Sequence, residues 1–196
     1  PDNPTTDFQT VWNNVYETLV KLDPKTRAHI PNIAESWAVS SDGKTWTFRI
    51  RKGVQFQGEY GELTADDVKF SLDLFLKMGN HPIVFDLKQR VTEIKVTDPY
   101  TVQITLASPY VTFLNDTSST QFGTGIYSKK YVDSVGQEAA ARKPIGSGPF
   151  KFVEHKKGSS VTLEAVPQHW RLLPDYQTLN VRLIPEPATR LAALLS

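Results

Sequence analysis

The sequence contains no cysteine. That excludes a disulfide scaffold, thiolate-ligated zinc or iron–sulfur sites, and a cysteine nucleophile. It leaves the compartment open, because an exported chain needs no cysteine to persist in an oxidising space. No stretch approaches the roughly 18–20 consecutive apolar residues that cross a bilayer, and no basic start followed by an apolar run marks a signal peptide. The chain opens Pro1-Asp2-Asn3-Pro4 without a Met, which leaves room for an upstream targeting segment. Neither sign of charge is in excess: Lys and Arg number 22 against 21 Asp and Glu. Bulk electrostatic binding of nucleic acid calls for a clear basic excess, so that class is disfavoured. Histidine is scarce, and His29, His81, His155 and His169 never fall three or four residues apart, so no helical metal pair exists.

What is present suffices for a core. Hydrophobic residues make up 39% and aromatics 11% of 196 residues, enough for one large domain or two small ones. Phe8, Val11, Trp12, Val15, Tyr16 and Leu19 recur at helical spacing and predict a first helix, capped by Asp7, running to about Val20. Trp46, Phe48 and Ile50 alternate with polar residues after a tight Asp42-Gly43 turn, the period of a half-buried strand in a hairpin. Thr64 and Asp67 form a capping box with a shorter acid, opening a helix through Val68, Leu72, Phe75 and Leu76 that Gly79, Asn80 and Pro82 stop. Strands are predicted at Val91–Val96, Tyr100–Leu106, Phe150–Val153, Val161–Ala165 and Leu179–Leu183. Short helices are predicted at Pro109–Leu114, after Ser128 and from Ala188. Hairpins mixed with helices favour an α+β fold over a wound parallel sheet.

A catalytic constellation is not visible. Ser147 lies in Gly146-Ser147-Gly148, but the esterase elbow places its glycines two residues either side of the serine on a strand-to-helix turn. Here Pro149-Phe150 begins a strand, so a glycine loop is the simpler reading. Gly123-Thr124-Gly125 lacks the third glycine of a dinucleotide loop. Asp66 and Asp67 suit the positive end of a helix. Trp12, Trp37 and Trp46 fall on apolar periodicities and read as core. His169, beside Trp170, reads as a loop contact. The absence of catalytic spacing lowers the case for an enzyme.

Several blocks, in one order along the chain, resemble a known family. Val15-Tyr16-Glu17-Thr18-Leu19-Val20 is similar to the end of its first helix. Pro31-Asn32-Ile33-Ala34-Glu35-Ser36-Trp37 is close to its P-x-LAESW block. Ser41 to Phe48 with Arg51-Lys52-Gly53-Val54-Gln55-Phe56 resembles DGxTxTFxLRKGVxF, and Leu63 to Ser71 resembles LTAxDVxFS. Ile145 to Phe152 resembles xGTGPYKF, and Leu183 to Leu195 is similar to a block that runs on into Gly-Glu-x-Asp. The family is that of the family 5 extracellular solute-binding proteins, the dipeptide, oligopeptide and nickel receptors of ABC importers.

The resemblance implies an α+β (mixed α/β) lobe of the type II periplasmic-binding-protein kind, with a mixed sheet and an inserted smaller subdomain. Residues 1–32 and 144–196 would belong to the lobe proper and 33–143 to the subdomain. The chain would be the N-terminal lobe of a longer, two-lobed, exported protein, periplasmic or membrane-anchored outside the cell. It would act as a monomer that binds peptide in the interlobe cleft and delivers it to membrane permease subunits, with no catalytic step, cofactor, metal or nucleic acid. Other ligands (a nickel chelate, an oligosaccharide), a sensory role, and a serine hydrolase using Ser147 are the alternatives. Ligand-contacting positions implied by the family are Pro4, Thr5 and Thr6, where an extended segment pairs with ligand backbone, and Gln121, Phe122, Gly123 and Thr124 in the loop before Ser128. Phe85 is a further candidate from the subdomain. Pro4 has no amide hydrogen to donate in such pairing.

Overall fold

The computed structural model describes residues 11–77, 82–118 and 125–195. The first helix, α1, occupies 11–15 of the described residues. It ends well before Val20, which instead begins strand β1 (Val20–Leu22), antiparallel to β2 (His29–Pro31). Long-range hydrogen bonds explain the early end. The Val15 carbonyl accepts from Gly148 N–H at 2.9 Å and the Glu17 carbonyl from Ile126 N–H at 2.8 Å, so neither is free to extend the helix.

A four-stranded antiparallel sheet follows, in the order β3 (Ala34–Val39), β4 (Thr45–Ile50), β6 (Thr101–Leu106), β5 (Val91–Asp98). Its central pair sets Trp46 opposite Ile104 and Phe48 opposite Val102. The alternation read from the sequence therefore points one continuous apolar face inward. Helix α2 (Ala65–Lys77) lays Val68, Leu72 and Phe75 on that face, helix α3 (Pro82–Arg90) adds Val84 and Leu87, and α4 (Phe113–Asp116) adds Phe113. Phe113 lies 5.5 Å, centroid to centroid, from Trp46.

The start of α2 is half of the expected capping box. Asp67 Oδ2 accepts from Thr64 N–H at 2.9 Å and from the Thr64 hydroxyl at 3.1 Å. The other oxygen, Oδ1, accepts from Lys129 N–H at 2.9 Å, tying α2 to helix α5 (Lys129–Val135), whose N-cap is Ser128. Burial pushes the Asp67 carboxyl up, against the pull of those amide hydrogen bonds. Helix α6 (Gln137–Arg142) leads to a three-stranded antiparallel sheet, β7 (Phe150–Lys156), β8 (Ser160–Ala165) and β9 (Thr178–Arg182), and to α7 (Pro187–Leu195). This second sheet packs Phe150 and Leu163 on Val15 and Tyr16 in a smaller core. The segment before β7 passes α1 very closely. A Cβ on Gly146 would stand 2.0 Å from the Val15 carbonyl oxygen, so glycine is required there. Among the described residues no helix is long and apolar enough to cross a membrane.

Candidate functional site

The segments expected at a ligand cleft, Pro4-Thr5-Thr6 and Gln121-Phe122-Gly123-Thr124, lie outside the described residues. The described residues on either side of 119–124 meet the part of the chain that runs from Val11 to Val20. Trp12 stacks at a tilt on Tyr16, 4.4 Å between centroids, and meets Tyr127 edge-on at 5.4 Å. Gly125 approaches this aromatic knot so closely that a Cβ there would lie 2.8 Å from Trp12 Nε1. Ile126 is then fixed by its bond to the Glu17 carbonyl, and Ser118 bridges Val20 in parallel. Burial pushes the Tyr16 and Tyr127 hydroxyls up, so both remain neutral phenols at physiological pH. The stretch from α1 to β1 thus anchors the described residues on either side of the 119–124 segment. Phe85 stands apart from that stretch, on α3, with 65% of its surface exposed.

Beneath the knot lies a buried charge centre that the sequence reading did not find. Glu17 is fully buried. Its Oε1 accepts from Arg171 at 2.8 Å, and its Oε2 accepts from Asn32 Nδ2 at 2.9 Å and pairs with Lys21 Nζ at 3.0 Å. Burial pushes the Glu17 carboxyl up, but Lys21, Arg171 and the hydrogen bonds from Arg171 and Asn32 outweigh it and hold it below the usual carboxylate range. Lys21 is itself held below its ordinary value by burial, which Glu17 only partly offsets. One signal was available in the sequence: a glutamate inside the apolar run Val15-Tyr16-Glu17-Thr18-Leu19. A charge in such a run has to be exposed or paired.

His169 belongs to the same centre and is more than a loop contact, since its side chain is only 2% exposed. Its Nε2 lies 3.1 Å from the Ser147 carbonyl oxygen and 3.5 Å from Glu17 Oε1, and Leu172 N–H donates to Nδ1 at 3.1 Å. Burial holds its pKa below the usual imidazole value, with Glu17 and the Ser147 hydrogen bond opposing. The imidazole therefore faces the backbone of Ser147, whereas a nucleophile would need it at the hydroxyl. The Ser147 hydroxyl is buried and has no partner among the described residues. Among those residues no three metal-ligating side chains group together.

This α+β fold, with its buried ionic centre beside the aromatic knot, is the fold found in solved periplasmic binding proteins. Residues 28–196 match the family described as bacterial extracellular solute-binding proteins, family 5 Middle, and the chain belongs to that family. It is 34% identical to the dipeptide-binding protein of Escherichia coli K12 over 92% of its own length, and 30% identical to heme-binding protein A of Haemophilus influenzae over 96%. The periplasmic binding protein DppA of Helicobacter pylori, solved with the peptide STSA, superposes on 100% of the chain with a TM-score of 0.85 and 30% identity. The chain spans only 37%, 38% and 41% of these relatives' lengths, respectively.

Proposed function

We propose that the chain forms one wall of an interlobe cleft in the substrate-binding component of an ABC importer, and that the cleft takes dipeptides or short oligopeptides. The observation that carries this reading is the match over the whole chain to a receptor solved with a peptide, supported by identity to a dipeptide-binding protein. In this reading residues 33–143 are a subdomain inserted into a lobe built from 1–32 and 144–196. Pro4–Thr6 and Gln121–Thr124 line the cleft, and Phe85 contributes from α3. The assembled protein works outside the cytoplasm and hands its ligand to membrane permease subunits. Closure of a second wall supplies much of the affinity in such clefts, so the chain alone binds peptide more weakly than the complete receptor.

Isothermal calorimetry with a library of di- to tetrapeptides tests the assignment, on the chain and on a complete two-lobed receptor that contains it. The expected result is saturable peptide binding by the receptor and weaker binding by the chain. Tight binding of heme or a nickel chelate with no peptide bound would remove the peptide assignment and leave the receptor class standing. Equal affinities for chain and receptor would remove the two-wall reading.

A further inference from the structure

The connection 166–177 between β8 and β9 is anchored at both ends. Val166 N–H donates to the Pro149 carbonyl at 2.8 Å, and the Gln177 carbonyl accepts from Ala165 N–H at 2.8 Å. Between these anchors His169 reaches Ser147 and Arg171 reaches Glu17. Leu172, Leu173 and Tyr176, which follow, are exposed. His169 is the last ring before that exposed run, and it holds the run at Leu172.

A neutral imidazole carries one ring hydrogen, and two contacts fix its place here. Nε2 stands 3.1 Å from the Ser147 carbonyl oxygen, which only accepts, so the hydrogen is on Nε2. Nδ1 is then a bare acceptor, and Leu172 N–H donates to it at 3.1 Å. The Leu172 carbonyl oxygen is also 3.1 Å from Nδ1. In the imidazolium both ring nitrogens donate. Nε2 keeps the Ser147 carbonyl, while Nδ1 must give up Leu172 N–H and finds the Leu172 carbonyl at the same distance. One proton therefore moves the tie from the peptide unit before Leu172 to the one after it, and leaves the amide of an exposed residue to water.

The charges around the ring set when this happens. Glu17 Oε1, on the stretch after α1, lies 3.5 Å from Nε2 and favours the imidazolium. Arg171, in the same connection as the ring, donates to that oxygen at 2.8 Å and opposes it. Lys21 on β1 pairs with the other Glu17 oxygen. Arg51, after β4, and Arg171 both sit over the ring of Trp170, which meets His169 at 5.5 Å between centroids. Burial outweighs Glu17 and keeps the ring neutral at neutral pH. Glu17 itself is held below the usual carboxylate range, so it is still ionised when the ring takes up its proton.

We infer that His169 is a pH-operated latch on the 166–177 connection: the neutral ring holds the Leu172 amide, and the imidazolium, paired with Glu17, releases that amide and takes the Leu172 carbonyl. The family is extracellular, so its members meet a pH that the cytoplasm does not set. The latch does not depend on the peptide assignment.

The test is an NMR titration of the isotopically labelled full chain from about pH 7.5 to about pH 4.5, following the His169 ring nitrogens, the Leu172 amide and the Leu172 carbonyl carbon. At the upper end the ring should be the Nε2–H tautomer. It should titrate with a midpoint below about 6.5, and both Leu172 signals should move with that same midpoint. Protection of the Leu172 amide against exchange should fall about tenfold, while the amides of β4 and β6 keep theirs. In His169→Gln the Leu172 signals should no longer titrate in this range. In Glu17→Gln the ring loses its carboxylate and keeps Arg171 beside it, so its midpoint should fall by about one pH unit or more. An Nδ1–H tautomer at the upper end overturns the proposal, because the ring would already hold the carbonyl. So do Leu172 signals that stay fixed while the ring titrates, a Leu172 titration that survives His169→Gln, and a midpoint unchanged in Glu17→Gln. A ring that takes up no proton before β4 and β6 lose their protection overturns it as well.

Discussion

The two sheets of this chain bury their apolar residues to very different degrees. In the four-stranded sheet Phe48, Ile50, Val102, Ile104 and Leu106 are all nearly inaccessible, and α2, α3 and α4 close over them. In the three-stranded sheet only Phe150 and Leu163 reach that state, against Val15 and Tyr16. Val153, Leu172, Leu173, Tyr176 and Leu183 are exposed on or next to it, and α7 buries no residue. Burial of apolar surface at about 25 cal/mol per Å² is the main favourable contribution to folding. Stability is therefore concentrated in residues 34–116, and the second sheet is held chiefly where it touches α1 and the Glu17 centre.

Substitution in the first core tests the contrast most severely. Phe48→Ala removes a fully buried ring packed near Trp46 and Phe113, and should cost about 3–5 kcal/mol in urea unfolding. A cost below about 1 kcal/mol would mean that this sheet is not the stable half. Next comes the junction. Glu17→Gln leaves Lys21 and Arg171 facing a neutral amide. Both cations are partly exposed, at 25% and 31%, and can hydrate, so the cost should sit near the lower end of the range for a broken buried pair, about 3 kcal/mol.

The pH dependence of that variant has a definite sign. Glu17 titrates lower in the folded chain than in the unfolded one, so it contributes stability above its ordinary value of about 4.3. That contribution is lost as pH falls through the folded value. His169 is also lowered, so the unfolded chain takes up its proton first. Stability should therefore begin to fall below about pH 6.5. In Glu17→Gln the loss below about pH 4.3 should be shallower than in the parent, and an unchanged acid limb would show that Glu17 is not the group lost there.

What could be read from the sequence divides along the same line. The β4 and β6 alternation, the Asp42-Gly43 turn, the Thr64–Asp67 cap and the Ser128 cap are local signals, and each appears in the fold. The blocks that resembled family 5 receptors named the family correctly. The end of α1 was not legible, because it is decided by Gly148 and Ile126, more than a hundred residues further along the chain. The Glu17 centre was missed for the same reason: its partner Arg171 is 154 residues away. Helix α3 and the β1–β2 pair carry too short an apolar pattern to announce themselves. Of the positions expected to touch ligand, Phe85 alone is described, with 65% of its surface exposed.

The smallest expected effect lies at α7. Leu191, Leu194 and Leu195 are 60%, 84% and 78% exposed, and the helix is only nine residues long. Isolated helices shorter than about 12–15 residues are marginal in water. What holds this one is local: Arg190 donates from its guanidinium to the Ile184 and Pro185 carbonyls at 3.1 and 3.3 Å. Leu194→Ala removes little buried area and trades leucine for a residue of higher helix propensity, so it should change stability by less than about 0.5 kcal/mol. Amide exchange gives the same comparison residue by residue. The α7 amides should exchange far faster than those of β4 and β6, whose protection should approach that of global unfolding. Slow exchange in α7 that disappears on dilution would mean that a second copy of the chain covers its leucines. Leu194→Ala would then weaken self-association measured by sedimentation, and the contrast between the two sheets would hold only for the monomer.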